Sequence, residues 1–143
     1  MKIKESILFG VTILSMGIIA FISNILSASA HTWWDGTPTN IRGHWVARNV
    51  YLKYMGFSNH ATFKATTHKV EFAYSASSNI TLHKTYWQKT GAHSYTFHGS
   101  WYRDGGFDQR ITIKKLSSHR LRAYFDGHSI TRGSVYPNSF FKR

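Results

Sequence analysis

The chain's only two prolines, Pro38 and Pro137, bracket everything between them. Proline cannot donate to a β-ladder and is poorly tolerated inside sheets, so a proline-free stretch over 39–136 suits one continuous β domain. Alternation and β-branched or aromatic content predict strands at 43–50, 60–66, 69–75, 80–88, 93–102, 107–116, 120–125 and 128–135. Residues 49–56 are ambiguous, because Val50, Tyr51, Tyr54 and Met55 also fit one short helical turn. About eight short antiparallel strands predict an all-β fold, a small closed or nearly closed barrel, with a β-sandwich as the alternative.

Two hairpins can be registered by arithmetic. Taking Thr90-Gly91 as the turn between 80–88 and 93–102 makes paired residue numbers sum to 181. Ile80, Leu82, Tyr86, Tyr95, Phe97 and Trp101 then share one apolar face, with Trp87 the exception, and His83 faces His98 on the wet side. Asp126-Gly127 is the strongest turn signal in the chain, since both central positions of a type I′ turn need positive φ. It pairs Phe125 with His128, Ala123 with Ile130 and Leu121 with Arg132. A loop at Ser117–His119 aligns Ile113 with Ala123 and Ile111 with Phe125 on the inner face. Arg110, Lys114, Arg120 and Arg122 then lie on the outer face, with Lys114 directly opposite Arg122. Like charges facing each other across strands are unfavourable unless an anion sits between them or both splay into water.

The 143 residues contain no cysteine, which excludes a disulfide framework, thiolate metal sites and a Cys nucleophile. Two Lys in Met1–Glu5, an apolar run over Ile7–Leu26 and the small-x-small Ala28-Ser29-Ala30 form an export signal. The same run is also long enough for an uncleaved membrane anchor. The expected organisation is a signal over 1–30, an extended leader over 31–40, a β domain over 41–137 and a basic tail over 138–143. Past residue 30 lie 21 aromatics against 14 Ile, Leu, Val and Met, enough apolar mass for a core. Removing Lys2, Lys4 and Glu5 with the signal changes the formal charge from +12 to +11.

The segment Trp34-Asp35-Gly36-Thr37-Pro38, followed by Arg42-Gly43-His44-Trp45, resembles the leader of small secreted proteins of lactic-acid bacteria. That resemblance implies an exported protein of a Gram-positive bacterium and carries no activity with it. Gly43-His44-Trp45 also resembles the Gly-x-Trp that opens the first strand of lipocalin-like barrels. There the Trp closes one barrel end under an Arg from the last strand, so the resemblance, with the inward register of Arg132, implies a Trp45–Arg132 closure pair.

Sites for chemistry are sparse. Cleavage after Ala30 would make His31 a terminal copper chelator only if a second His lay nearby. His83 and His98 supply two metal ligands where a durable site needs three or four. The five acids past residue 30 are Asp35, Glu71, Asp104, Asp108 and Asp126. Asp126 and Asp104 belong to turn signals, and Glu71 with Asp108 would form a glycosidase pair only if the fold brought them across a cleft. No nucleophile-elbow, P-loop or His-Glu-x-x-His motif occurs, so neither an enzyme nor a cofactor is expected.

Two function classes remain. One is a secreted or wall-associated protein that docks on teichoic acid or another polyanion through Arg110, Lys114, Arg120 and Arg122. No specific nucleic acid is expected, because an exported protein meets little of it, and no stable membrane anchor is expected once the signal is removed. The other class is a carrier with an apolar ligand among Tyr86, Tyr95, Phe97 and Trp101. So many aromatics in so small a barrel argue for a self-filled interior. The sequence leaves the oligomeric state open.

Overall fold

The structure, a computed structural model, describes residues 32–74, 77–102, 106 and 108–143, with the backbone alone for 77–79. The chain divides into Met1–His31 and Thr32–Arg143. The expectations for the signal, its cleavage site, His31 and Asp104 lie outside the described residues.

Among the described residues twelve strands form: β1 (Trp34–Asp35), β2 (Gly43–Ala47), β3 (Val50–Leu52), β4 (Phe57–Asn59), β5 (Thr62–Ala65), β6 (Lys69–Tyr74), β7 (Ser77–Gly91), β8 (Ser94–Ser100), β9 (Asp108–Ser117), β10 (Arg120–Phe125), β11 (His128–Ser129) and β12 (Phe140–Lys142). Eight of them close a ring in chain order, β2-β5-β6-β7-β8-β9-β10-β12, and β12 pairs back onto β2. Every pairing is antiparallel. This is a closed, lipocalin-like antiparallel barrel, and the β7–β8 and β12–β2 pairings exclude the sandwich alternative. Closure leaves no long free edge to recruit another chain.

Alternation builds the core. Along β8 the residues alternate between half-buried and buried, with Tyr95 and Phe97 inward. Trp45, Phe63, Phe72, Ile111, Ile113, Leu121 and Phe140 are fully buried, and Ala47, Ala65 and Ala123 keep space for the rings. Phe140 sits edge-on to Phe72 at 6.0 Å and lies 6.3 Å from Phe63, so one ring of β12 joins aromatics from two other strands.

The β9–β10 hairpin forms in the expected register, with Ile113 against Ala123, Ile111 against Phe125 and Lys114 against Arg122. The Asp126-Gly127 turn is also as expected, with φ of 47° and 74° and Phe125 opposite His128.

The β7–β8 register is corrected. Strand β7 runs on to Gly91, the turn is Ala92-His93, and Trp87 pairs with Phe97 while Tyr86 pairs with His98. Those numbers sum to 184, and an offset of three exchanges the faces. The Ala92-His93 turn sets that register, and a bulge at Lys84, whose φ is 49°, shifts it once more before His83. Leu82 and Trp87 are an odd number of positions apart, so only an inserted residue lets both face the core. The bulge presses on Gly99, where a Cβ would lie 2.6 Å from the His83 carbonyl oxygen. His83 therefore faces Ser100 rather than His98.

The expected strand over 128–135 is corrected as well. Only His128–Ser129 pair with β10. Ile130 N–H still donates to the Ala123 carbonyl (3.0 Å), after which the chain coils through two turns, Arg132 N–H to Ser129 O and Ser134 N–H to Thr131 O. The rest of that edge goes to β12, which sets Phe140, not Arg132, opposite Leu121. Residues 138–143 are thus the closing strand and its flanks rather than a tail. Asn138 joins the two short strands: its Oδ1 accepts from Ala123 N–H (2.9 Å) and its Nδ2 donates to the Ala123 carbonyl (2.8 Å), as a strand residue would.

Residues 49–56, the ambiguous stretch, enter an arm. Strands β3 and β4 pair with each other outside the barrel sheet, and Gly56 takes a positive φ in the turn between them. The leader also packs: Gly36, Thr37 and Pro38 are buried and β1 pairs with β7. A Cβ on Gly36 would meet the Thr67 carbonyl at 2.6 Å, Thr37 Oγ1 donates to the Thr66 carbonyl, and Arg42 Nε donates to the Thr37 carbonyl (3.0 Å). The Gly-Thr-Pro and Arg-Gly-x-Trp elements stitch the leader onto the barrel.

Candidate functional site

Arg110, Lys114, Arg120 and Arg122 are all exposed, at the alternate positions of β9 and β10 whose neighbours Ile111, Ile113, Leu121 and Ala123 fill the core. The buried residues fix the exposed ones, because a one-residue slip would turn the cations inward. The four do not form one uniform row. Lys114 lies between Ser94 of β8 and Arg122 of β10, so two cations are direct cross-strand partners. Directly opposed side chains have Cβ atoms about 5 Å apart. Beside them runs a hydroxyl ladder, Thr90 to Thr96 (3.3 Å) and Thr96 to Thr112 (3.2 Å), with Tyr124 opposite Thr112.

Arg110 stands opposite His98, whose Nδ1 is 2.8 Å from Asp108 Oδ1 and whose ring stacks on Tyr86 at 5.5 Å. This end of the face contains an acid and is the less cationic end. Arg120 turns the other way. A register shift separates it from Leu121, and its Nε donates to Ser139 Oγ (2.8 Å). Its guanidinium lies 5.5 Å from the Phe141 ring centre, and Arg48 lies 5.9 Å from the same ring. The two arginines, Pro137, Ser139 and Phe141 line a depression of about 290 Å³.

Among the described residues, ion pairs engage His68 with Asp35, Lys69 with Glu71 and His98 with Asp108. None engages Arg48, Lys114, Arg120 or Arg122. Sequence reasoning missed Arg48 and Phe141 because it placed the last barrel strand at 128–135. The adjacent aromatics Phe140 and Phe141 were the available signal.

Trp45 is fully buried, and its Nε1 donates to the Ile41 carbonyl (2.8 Å). The cation over its ring is Lys142 at 5.4 Å, while Arg132 is exposed in the coil after β11. A closing cation from the last strand is present, but its identity differs from the expected Arg132 because the last strand is β12. Of the interior candidates, Tyr95 and Phe97 face the core, Trp101 is half-buried against Phe125 at 6.4 Å, and Tyr86 is 44% exposed on the outside. Tyr86 therefore leaves the interior set, displaced by the Lys84 bulge. Of the acids, Glu71 lies on β6 opposite Thr81 and Lys64, and Asp108 on β9 opposite Ser100. No family model matches the chain, and no curated protein or solved structure matches it.

Proposed function

We propose that this is an exported, non-enzymatic binding protein of a Gram-positive surface, which docks on an anionic wall polymer through the outer face of β9 and β10. The observation that carries the reading is Lys114 set directly against Arg122, both exposed and neither in an ion pair among the described residues. Two like charges held in register are unfavourable unless they splay into water or a counter-charge joins them, and a phosphate of a teichoic acid is such a counter-charge. The adjoining hydroxyls of Thr96, Thr112 and Tyr124 offer donors to a polyol or sugar beside that phosphate. Arg120 and Arg48 extend the same chemistry, since planar guanidinium forks match phosphate geometry. An interior-carrier function draws less support, because Phe63, Phe72, Phe97 and Phe140 occupy the barrel themselves.

The test is retention of residues 32–143, which contain all twelve strands, on purified walls with and without teichoic acid across a salt series. Retention that needs the polymer and fades as the Debye length shortens to about 8 Å at physiological salt supports the reading. Lys114→Glu with Arg122→Glu should abolish it. Equal retention by that double variant would overturn the assignment of this face.

A further inference from the structure

The β3–β4 arm stands outside the barrel sheet and carries the largest concentration of exposed apolar side chains. Val50 and Leu52 pack against the core, and His60 Nδ1 lies 2.9 Å from Asn49 Oδ1 at the base of the arm. Beyond that base the arm has the opposite polarity to a soluble hairpin. Tyr51 is 64% and Met55 62% exposed, Phe57 is half exposed, and Tyr54 at the tip is fully exposed. The tip is held rather than loose, because the N–H groups of Met55 and Gly56 both donate to the Leu52 carbonyl at 2.9 Å. Residues 133–136 of the coil that follows the early end of β11 form the other wall of an open groove of about 430 Å³ and add exposed Val135.

Contiguous exposed apolar surface on a small domain marks an interaction site. Its shape and charge select the occupant. Tyr54 projects with no neighbour over it, so the feature is a protruding tip beside a shallow groove rather than a concave ligand pocket. Exposed Lys53 lines the groove at the tip between Leu52 and Tyr54, and exposed Arg132 directly precedes the groove-lining Gly133. Neither 36–70 nor 127–143 contains a single Asp or Glu, so both walls of the groove are free of their own carboxylates. Tyrosine with flanking Lys or Arg is the side-chain set favoured where water, headgroups and acyl chains meet.

We propose that the β3–β4 arm and the 130–136 coil form a membrane-docking site that inserts Tyr54 and Met55 into the interface of an anionic phospholipid surface, with Lys53 and Arg132 on the headgroups. The docking is peripheral and reversible, and it is independent of the polymer-binding face.

Because the chain has no cysteine, a single introduced thiol reports one position cleanly. Residues 32–143 carrying Tyr54→Cys, labelled with an environment-sensitive dye, should show a blue-shifted emission with vesicles of mixed phosphatidylglycerol and phosphatidylcholine. They should show none with phosphatidylcholine alone, and the same dye at Ser118→Cys, on the β9–β10 turn, should not respond to either. In co-sedimentation, Tyr54→Ser with Met55→Ser should weaken binding to the anionic vesicles by about tenfold or more. The Lys114→Glu, Arg122→Glu variant should retain the shift at position 54. Anionic vesicles that bind with no change at position 54, an equal shift on neutral vesicles, or Ser variants that bind as well as the unaltered protein would each overturn the proposal. The wall-retention experiment is scored separately, so failure of one reading is distinguishable from failure of the other.

Discussion

The basic face of β9–β10 and the apolar arm of β3–β4 are both exposed, yet they are held in different ways. On β9 and β10 Arg110, Lys114, Arg120 and Arg122 sit next to residues buried in the barrel, so these charges are positioned by Ile111, Ile113, Leu121 and Ala123. The arm belongs to a separate two-stranded sheet and is fastened by Val50, Leu52 and the Asn49–His60 contact. The first surface is as rigid as the core beneath it, whereas the second is a local structure with its own small foundation. An array of charges that reads a repeating polymer needs fixed spacing. A tip that enters a fluid interface needs only reach and amphipathicity.

The sharpest way to break this distinction is Phe140→Ala. It removes the ring that joins β12 to Phe63 and Phe72, so about 3–5 kcal/mol should be lost in urea unfolding. The proposed polymer binding of the basic face should fall before the arm responds, because β10 pairs directly with β12 whereas the arm has its own two-stranded sheet. Asn138→Ala should cost about 1–3 kcal/mol by leaving the Ala123 N–H without its side-chain acceptor. Asn138→Asp keeps the acceptor and loses the donor, so it should fall between the two in a thermal melt.

Gly127→Ala strains the type I′ turn and should cost about 1 kcal/mol, read as a lowered unfolding midpoint with vesicle binding intact. The smallest effect belongs to the arm. Tyr54→Ser with Met55→Ser should change stability by no more than about 0.5 kcal/mol, since neither side chain covers anything. A larger destabilisation would mean that the arm supports the barrel and would erase the comparison.

The same contrast runs through what could be read from the chain. The β9–β10 hairpin and its cationic outer face follow from local information: a short loop between the strands, the Asp126-Gly127 turn that ends β10, and the alternation around Ile111, Ile113, Leu121 and Ala123. The β7–β8 register does not, because the left-handed Lys84 has no sequence marker, and only the wrong parity of Trp87 hinted at it. The closing strand was obscured for a different reason. Residues 128–135 alternate well enough to be a strand, but β10 offers a single edge there, and Phe140 buries more apolar surface against it than Arg132 could. Competition between two segments for one edge is a tertiary outcome. The arm fell between helix and hairpin because Val50, Tyr51, Tyr54 and Met55 satisfy both periods over so short a span.

The pairing of Phe140 with Ala47 joins segments that are far apart in the chain, and it sets how this protein must reach its folded state. Every other neighbour in the ring is joined by a tight turn or by a short intervening segment such as the β3–β4 arm, but the last pairing requires closing a loop around the whole barrel. Refolding should therefore be slow for the chain's size, on the order of milliseconds to seconds. Its final phase should be lengthened selectively by changes in β12 that leave the earlier hairpins untouched. Until that phase is complete, β2 and β10 present open edges. A three-residue strand supplied by a neighbouring molecule would fit them equally well, so concentrated refolding should yield a strand-exchanged dimer that dilute refolding does not.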